Sequence, residues 1–371
     1  MKISLSLFGI LCLSASSTAM AGDAPTRTRV ATLPRQNDGY QLVWSDEFNG
    51  TTLDRETWNI EINGNGNGNE ELQYYTDKAD NISLGMEPKS GAHCLIITAK
   101  REDYQGKEFT SGRITTADKM YFTRGKIESR IKFPKTANGL WPAFWLLGND
   151  FKSQGWPRCG EIDILEMGNA EGIEKGTQDR FFNGACHWGF YKNGQYPNYA
   201  KSTTNDYSLQ NDEFHTFTLE WDENMINMYL DREQHPDVAP YYSIGVSDTK
   251  DDWSTGNYFQ HDFFVLFNLA VGGRFTGILD SDGVTALKKG EEAKLYIDWV
   301  RLYQKSDDVN AIIPDSYTDG IRDFITDGKG TSKKRIFDIM GREIHQVTQG
   351  GIYLVQTSQG MKKYYNKYLI K

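Results

Sequence analysis

Three carboxylates fall within six positions of an otherwise apolar segment, Gly160-Glu161-Ile162-Asp163-Ile164-Leu165-Glu166-Met167-Gly168. The apolar residues make this stretch a sheet strand with a buried face. On a strand, residues i and i+2 share a face, so Glu161 and Asp163 point together. Glu166 lies five positions from Glu161, and strict alternation would turn it into the core, where an unpaired carboxylate costs several kcal/mol. One extra residue near Ile164–Leu165, a β-bulge, returns Glu166 to the face of the other two. The expected product is a row Glu-Asp-Glu on one sheet surface.

Like charges this close cannot all ionise freely, so at least one pKa must rise. A glutamate held protonated can give its proton to a leaving oxygen while an ionised neighbour attacks a sugar carbon. Retention of configuration uses carboxyls about 5–5.5 Å apart, and the bulge shortens the reach toward that value, so retention is the expectation. Two other readings stand beside it. One is a solvated acidic face. The other is a metal cluster with His187 as a fourth ligand, although the close His/Asp spacing of transition-metal sites is missing.

Aromatic residues flank the acids. Leu140-Trp141-Pro142-Ala143-Phe144-Trp145 and Gly155-Trp156-Pro157 precede them, and His187-Trp188-Gly189-Phe190-Tyr191 follows. Sugar rings pack their C–H faces on such rings and require polar partners for their hydroxyls. Trp141, Trp145 and Trp156, beside Gly and Pro near the acids, read as platforms; Phe144, Trp188 and Trp221 read as core.

The 371 residues suffice for one large domain and a small appendage, and the 36 glycines with 13% aromatic residues suit an all-β protein with many turns. A net charge of −9 argues against nucleic acid as a partner. Lys2, the apolar run Leu5–Leu13 and Ala19-Met20-Ala21 read as a secretory signal peptide over residues 1–21, which implies a secreted or cell-surface protein. No later segment is apolar enough for a membrane span. Residues 22–38 read as a linker. Cys94, Cys159 and Cys186 would remain; Cys159 with Cys186 is the pair to test first, and buried free thiols are the alternative.

From residue 39 onward short strands follow one another: Cys94–Ala99, Lys126–Phe133, Thr216–Trp221, Met225–Asp231, Phe263–Val271 and Lys294–Tyr303. In Lys126–Phe133 the apolar Ile127, Ile131 and Phe133 alternate with Lys126, Glu128, Arg130 and Lys132. This texture predicts a two-sheet β-jelly-roll sandwich over 39–304. Residues 305–332 read as a linker, and 333–371 as a small β appendage.

The string Glu161–Glu166 resembles the bulged signature of glycoside hydrolase family 16. The chain is similar to that family over residues 39–304, with bacterial laminarinases and related endo-β-1,3(4)-glucanases nearest in look. Supporting stretches are Trp44–Gly50, Gly68–Thr76, Gly139–Gly148, Phe214–Phe217, Asn268–Gly273 and Asp298–Arg301. The resemblance implies a concanavalin-like jelly roll of two antiparallel sheets. It implies Glu161 as nucleophile, Asp163 as its hydrogen-bonded neighbour, and Glu166 as acid and then base. It places Trp141, Trp145, Trp156, Asn69 and Arg113 along the negative subsites, His187 near Glu166 or the substrate, and His215 in a structural role. Catalysis would need no cofactor, and a structural calcium would sit at Glu47, Gly91 and Asp298, partly on backbone carbonyls.

Two departures from the family pattern stand out. Asn67 replaces a frequent tryptophan, and Arg274-Phe275-Thr276-Gly277 replaces Asn-Trp-Pro-Gly. The C-terminal Asp338–Glu343 and Gly351–Val355, with a basic tail, resemble a type IX secretion sorting domain, so the secretion machinery would be a partner. The function expected is a monomeric, retaining endo-hydrolase of β-1,3- or mixed β-1,3/1,4-glucan. An algal galactan hydrolase (agar, porphyran), a transglycosylase and a non-catalytic glucan binder are the alternatives.

Overall fold

The computed structural model describes residues 39–305 and, as backbone alone, the strands Ile336–Asp338, Glu343–Ile344, Gly351–Thr357 and Gly360–Asn366. The expected signal peptide, the segment 22–38 and the segment 306–335 lie outside the described residues.

Two sheets carry the main body. One has ten strands, running from Tyr242–Gly245 through Met225–Leu230, His215–Trp221, Gly125–Lys132, Glu292–Lys305, His93–Lys100 and Phe109–Ser111 to Gln73–Tyr75, with Tyr40–Asp46 and Ile82–Met86 attached along the way. The other has eight and contains the acidic strand. Its order is Asn198–Thr204, Phe181–His187, Glu161–Met167, Leu140–Gly148, Phe263–Val271, Arg113–Thr115 and Asn59–Ile60, with Tyr121–Phe122 beside Phe263–Val271. All described pairings are antiparallel except Gln73–Tyr75 with Phe109–Ser111. The four C-terminal strands form a separate antiparallel sheet, which answers the expected β appendage.

The apolar alternation explains the layering. Ile127, Ile131, Phe217, Leu219, Trp221, Leu295 and Ile297 of the large sheet meet Phe144, Leu146, Ile162, Ile164, Val265, Phe267 and Leu269 of the smaller one in a single core. Phe263–Val271 is buried at every position, as a continuous apolar run in the middle of a sheet should be. Trp221, Trp188 and Phe144 are core residues as expected.

The charged positions of strand Gly125–Lys132 face away from the core, yet Lys126, Glu128 and Lys132 are only 3%, 4% and 6% exposed. Neighbouring side chains cover them. Lys132 pairs with Glu87 at 2.8 Å and with Asp212, and Lys126 lies 4.6 Å from the Tyr303 ring centre. Buried charges persist because they are paired.

The cysteines also resolve. All three are buried and free. Cys186 packs in the main core, whereas Cys159 joins Leu147, Phe264 and Leu266 in a second apolar cluster. Cys159 and Cys186, the pair to test first, lie in separate apolar clusters and are not bridged.

The acidic strand ends at Gly168, where φ is +95° and a Cβ would stand 2.0 Å from the Leu140 carbonyl oxygen. Gly168→Ala therefore meets both a left-handed backbone and a steric wall. It should lose more than about 2 kcal/mol in chemical denaturation, and an unchanged midpoint would show that this turn has slack.

Candidate active site

The predicted bulge is present. Against Leu140–Gly148, Asp163 pairs with Trp145 and Leu165 with Phe144, which skips Ile164. Against Phe181–His187, Asp163 pairs with Ala185 and Glu166 with Asn183, leaving Ile164 and Leu165 without register partners. Ile162, Ile164 and Leu165 all turn into the core, and Glu161, Asp163 and Glu166 line the opposite face.

Each acid meets a different set of partners. Glu166 accepts a hydrogen bond from Trp141 Nε1 at 3.1 Å. Asp163 Oδ2 lies 3.3 Å from His187 Nε2, and Glu161 Oε1 lies 3.9 Å from the same nitrogen. The Trp156 indole and the Arg113 guanidinium lie near enough to Glu161 to favour its ionised form. Burial and the Asp163 charge nevertheless push Glu161 up to about 8, and burial pushes Asp163 up to about 8 as well. Glu166, buried and facing both other acids, stays well above the ordinary carboxyl range. Three acids held up by burial, one of them with the Arg113 charge nearby, make a proton-sharing row.

The predicted aromatic platforms divide into different roles. Trp141 is 8% exposed, and one of its faces stacks on Phe275 with centroids 4.7 Å apart and a 16° interplanar angle. It is a wall and a hydrogen-bond donor to Glu166. Trp145 is gripped on the floor: its Nε1 donates to Asn268 Oδ1 at 2.7 Å, and Arg113 sits 4.8 Å from its ring centre while pairing with Glu61 at 2.9 Å. Trp156 is the open one, 37% exposed, and meets Tyr196, His187 and Tyr191 in an aromatic corner beside Glu161. Asn69 is exposed in the neighbouring loop, where its carbonyl accepts the amide of Arg274 at 2.8 Å.

Both departures from the family pattern acquire local reasons. Asn67 has φ 47° and ψ 33° and donates to Glu71, so a left-handed position that asparagine tolerates takes the place of a bulky side chain. Arg274 reaches back to Glu70 at 2.6 Å, and Phe275 supplies the stack under Trp141. The segment around Trp253 packs on the 188–190 turn, with Trp188 Nε1 donating to the Trp253 carbonyl at 2.7 Å. His215 lies in the other sheet, held by Asp231 at 2.8 Å and Asn211 at 3.0 Å, a structural placement. Sequence reasoning did not single out Glu61 or Tyr196 and gave Phe275 and Asn268 no contact with the tryptophans; each acts through a neighbour that only the register brings close.

Glu161, Asp163 and His187 offer ligand atoms within 4.8 Å of one another, so the metal reading and the acid/base reading draw on the same groups. At the expected calcium position, Glu47 is held bidentate by Arg301 at 2.8 Å and Asp298 pairs with Arg130. Those carboxylates already have cations, so side-chain ligation there fits poorly, and only backbone carbonyls would be left to hold an ion.

The raised carboxyls make stability fall with pH. Glu161 titrates near the ordinary value of 4.5 when unfolded and at about 8 when folded, so the folded chain holds a proton that the unfolded one has released across that window. Stability is fullest below the unfolded value and declines as pH rises through the folded one. Glu161→Gln removes this drain. Its melting temperature should exceed that of the unsubstituted protein by several degrees at pH 8 and by little at pH 4; an equal gain at both pH values would discard the electrostatic account.

A profile of Glycosyl hydrolases family 16 matches residues 65–243. The chain is 33% identical over 276 residues to a β-glucanase of Rhodothermus marinus, covering 71% of this chain and 85% of that protein. It is 32% identical over 284 residues to the clotting factor G alpha subunit of Tachypleus tridentatus, covering 76% of this chain but only 36% of that longer protein. Among solved structures, the Bacteroides ovatus mixed linkage glucan GH16 in complex with a G4G4G3G product superposes with a TM-score of 0.61 at 38% identity, over 70% of this chain and 100% of that one. With its bulged Glu-Asp-Glu row and these relatives, the chain belongs to glycosyl hydrolases family 16.

Proposed function

We propose that this chain is a retaining endo-hydrolase of β-1,3- or mixed β-1,3/1,4-glucan. The observation that carries the reading is the asymmetric environment of the two glutamates on one sheet face. Each glutamate has an indole beside it, Trp156 for Glu161 and Trp141 for Glu166, but the Arg113 guanidinium favours the ionised form of Glu161, which is the readier to ionise; Glu166, set against Asp163 and Glu161, keeps its proton. The Glu161 carboxylate attacks the anomeric carbon as the glycosidic C–O bond breaks, and the Glu166 proton passes to the leaving oxygen. Water then attacks the same carbon, gives a proton to Glu166 and releases Glu161. Asp163, 3.3 Å from His187, holds the charge balance between the two steps.

The substrate class rests on the relatives, which include a β-glucanase and a structure bearing a mixed-linkage glucan product. Trp156 is the surface on which a glucosyl ring can stack, with Trp145 as the floor. Export is part of the proposal: a signal peptide at residues 1–21 and a C-terminal sorting domain would carry a monomeric enzyme to the cell surface.

Product release from laminarin, lichenan, barley glucan, agar and porphyran tests the reading, with Glu161→Ser as control. The expected result is oligosaccharides from the glucans, first appearing as the β-anomer by proton NMR, and a loss of at least about 10³-fold in the control. Release from agar or porphyran alone would replace the glucan with a galactan, and an α-anomer would replace retention with inversion.

A further inference from the structure

The bulge leaves Ile164 without a register partner on either neighbouring strand. A buried carbonyl in that position must find another donor. It does: the hydroxyl of Tyr241 donates to the Ile164 oxygen. Tyr241 comes from the opposite layer. Its amide bonds the Met228 carbonyl at 2.9 Å, one residue before the strand Tyr242–Gly245 of the ten-stranded sheet. The hydrogen bond therefore crosses the sandwich.

A second observation shows room made for it. Gly184 stands opposite the bulge, between the paired Asn183 and Ala185. A Cβ there would lie 3.1 Å from Tyr241 Cε2, 2.9 Å from Met228 Sδ and 3.1 Å from Tyr242 Cβ. The tyrosine ring occupies the volume that any side chain at 184 would claim, and Phe182 packs on its edge at 4.9 Å.

We propose that Tyr241 is a positioning residue: its hydroxyl, entering the gap left by Gly184, fixes the Ile164 carbonyl and so sets where Glu166 stands relative to Glu161. This rests on the glycosidase reading above. Glu161 and Asp163 precede the bulge and keep regular pairing, whereas Glu166 follows it, so a loosened bulge misplaces the proton donor and leaves the nucleophile in place.

The consequence is a selective defect. Polysaccharide hydrolysis needs Glu166 to protonate its leaving oxygen, but a 2,4-dinitrophenyl glycoside of a β-1,3-linked glucose disaccharide leaves without that help. Its kcat/KM reports only formation of the glycosyl-enzyme on Glu161. Tyr241→Phe should lower kcat/KM on laminarin by about tenfold, the factor expected when one hydrogen bond is lost. It should leave kcat/KM on the aryl glycoside within about twofold and shift the basic limb of the pH profile, which reports the acid. Should Tyr241→Phe not accumulate as folded protein, Gly184→Ala, which keeps the hydroxyl but displaces the ring, reads the same ratio. Equal losses on both substrates, or no loss on either, overturn the proposal. Failure of the unsubstituted protein to hydrolyse either substrate sinks the glycosidase reading instead.

Discussion

Three carboxyl groups crowded onto one face of a single strand repel each other and resist ionisation, and much of the surrounding structure answers that cost. Burial alone would keep all three protonated. The answer is a graded set of partners along the strand: Trp156, His187 and Arg113 around Glu161, His187 beside Asp163, and the Trp141 indole on Glu166. Hydrogen bonds to charged groups contribute about 1.5–3 kcal/mol each, too little to cancel the burial of a carboxylate and enough to decide which of several carries the charge. The gradient, more than any single contact, separates the roles of residues otherwise alike.

That gradient depends on rigid supports. The indole donors are useful only if they stay in place, and each is pinned by a group outside the row. Phe275 stacks under Trp141, Asn268 and Arg113 grip Trp145, and Tyr196 meets Trp156 edge-on at 4.8 Å. Arg113 is in turn fixed by Glu61. The two loops that bring Phe275 and Glu61 near the row are themselves joined, with Leu72 bonding the Val271 carbonyl at 2.8 Å and Arg274 bonding Asn69. A face built to hold charge is thus held by neutral packing one layer further out.

The acids, the bulge and the two-sheet architecture were legible in the sequence because they follow from local period. Three acids in an apolar strand admit few registers, and only a bulge keeps all of them out of the core. The strands Phe263–Val271 and His215–Trp221 could be read almost to the residue for the same reason. What could not be read is whatever depends on pairing between distant segments. Trp141 looked like an open platform, since nothing local says that Phe275, more than a hundred residues away, covers it. That Lys126, Glu128 and Lys132 are covered could not be read, since alternation gives the face but not what leans over it. The free thiols were undecided because the layer of Cys159 is set by a turn, not by a period.

The difference between Trp141 and Trp156 carries the argument from geometry to substrate. A closed indole beside Glu166 and an open one beside Glu161 mean that the two ends of the acidic row present unlike surfaces. Near Glu161 a sugar ring meets a stacking face with several phenol edges behind it; near Glu166 it meets a wall that is already hydrogen-bonded. Stacking tolerates rotation of a ring about its own normal, whereas a fixed wall does not. A chain with a bent, alternating linkage therefore finds latitude on the Glu161 side and a tight constraint on the Glu166 side. On the glucan reading proposed above, linkage selectivity would fall to the wall formed by Trp141 and Phe275, and stacking of glucose rings to the corner around Trp156.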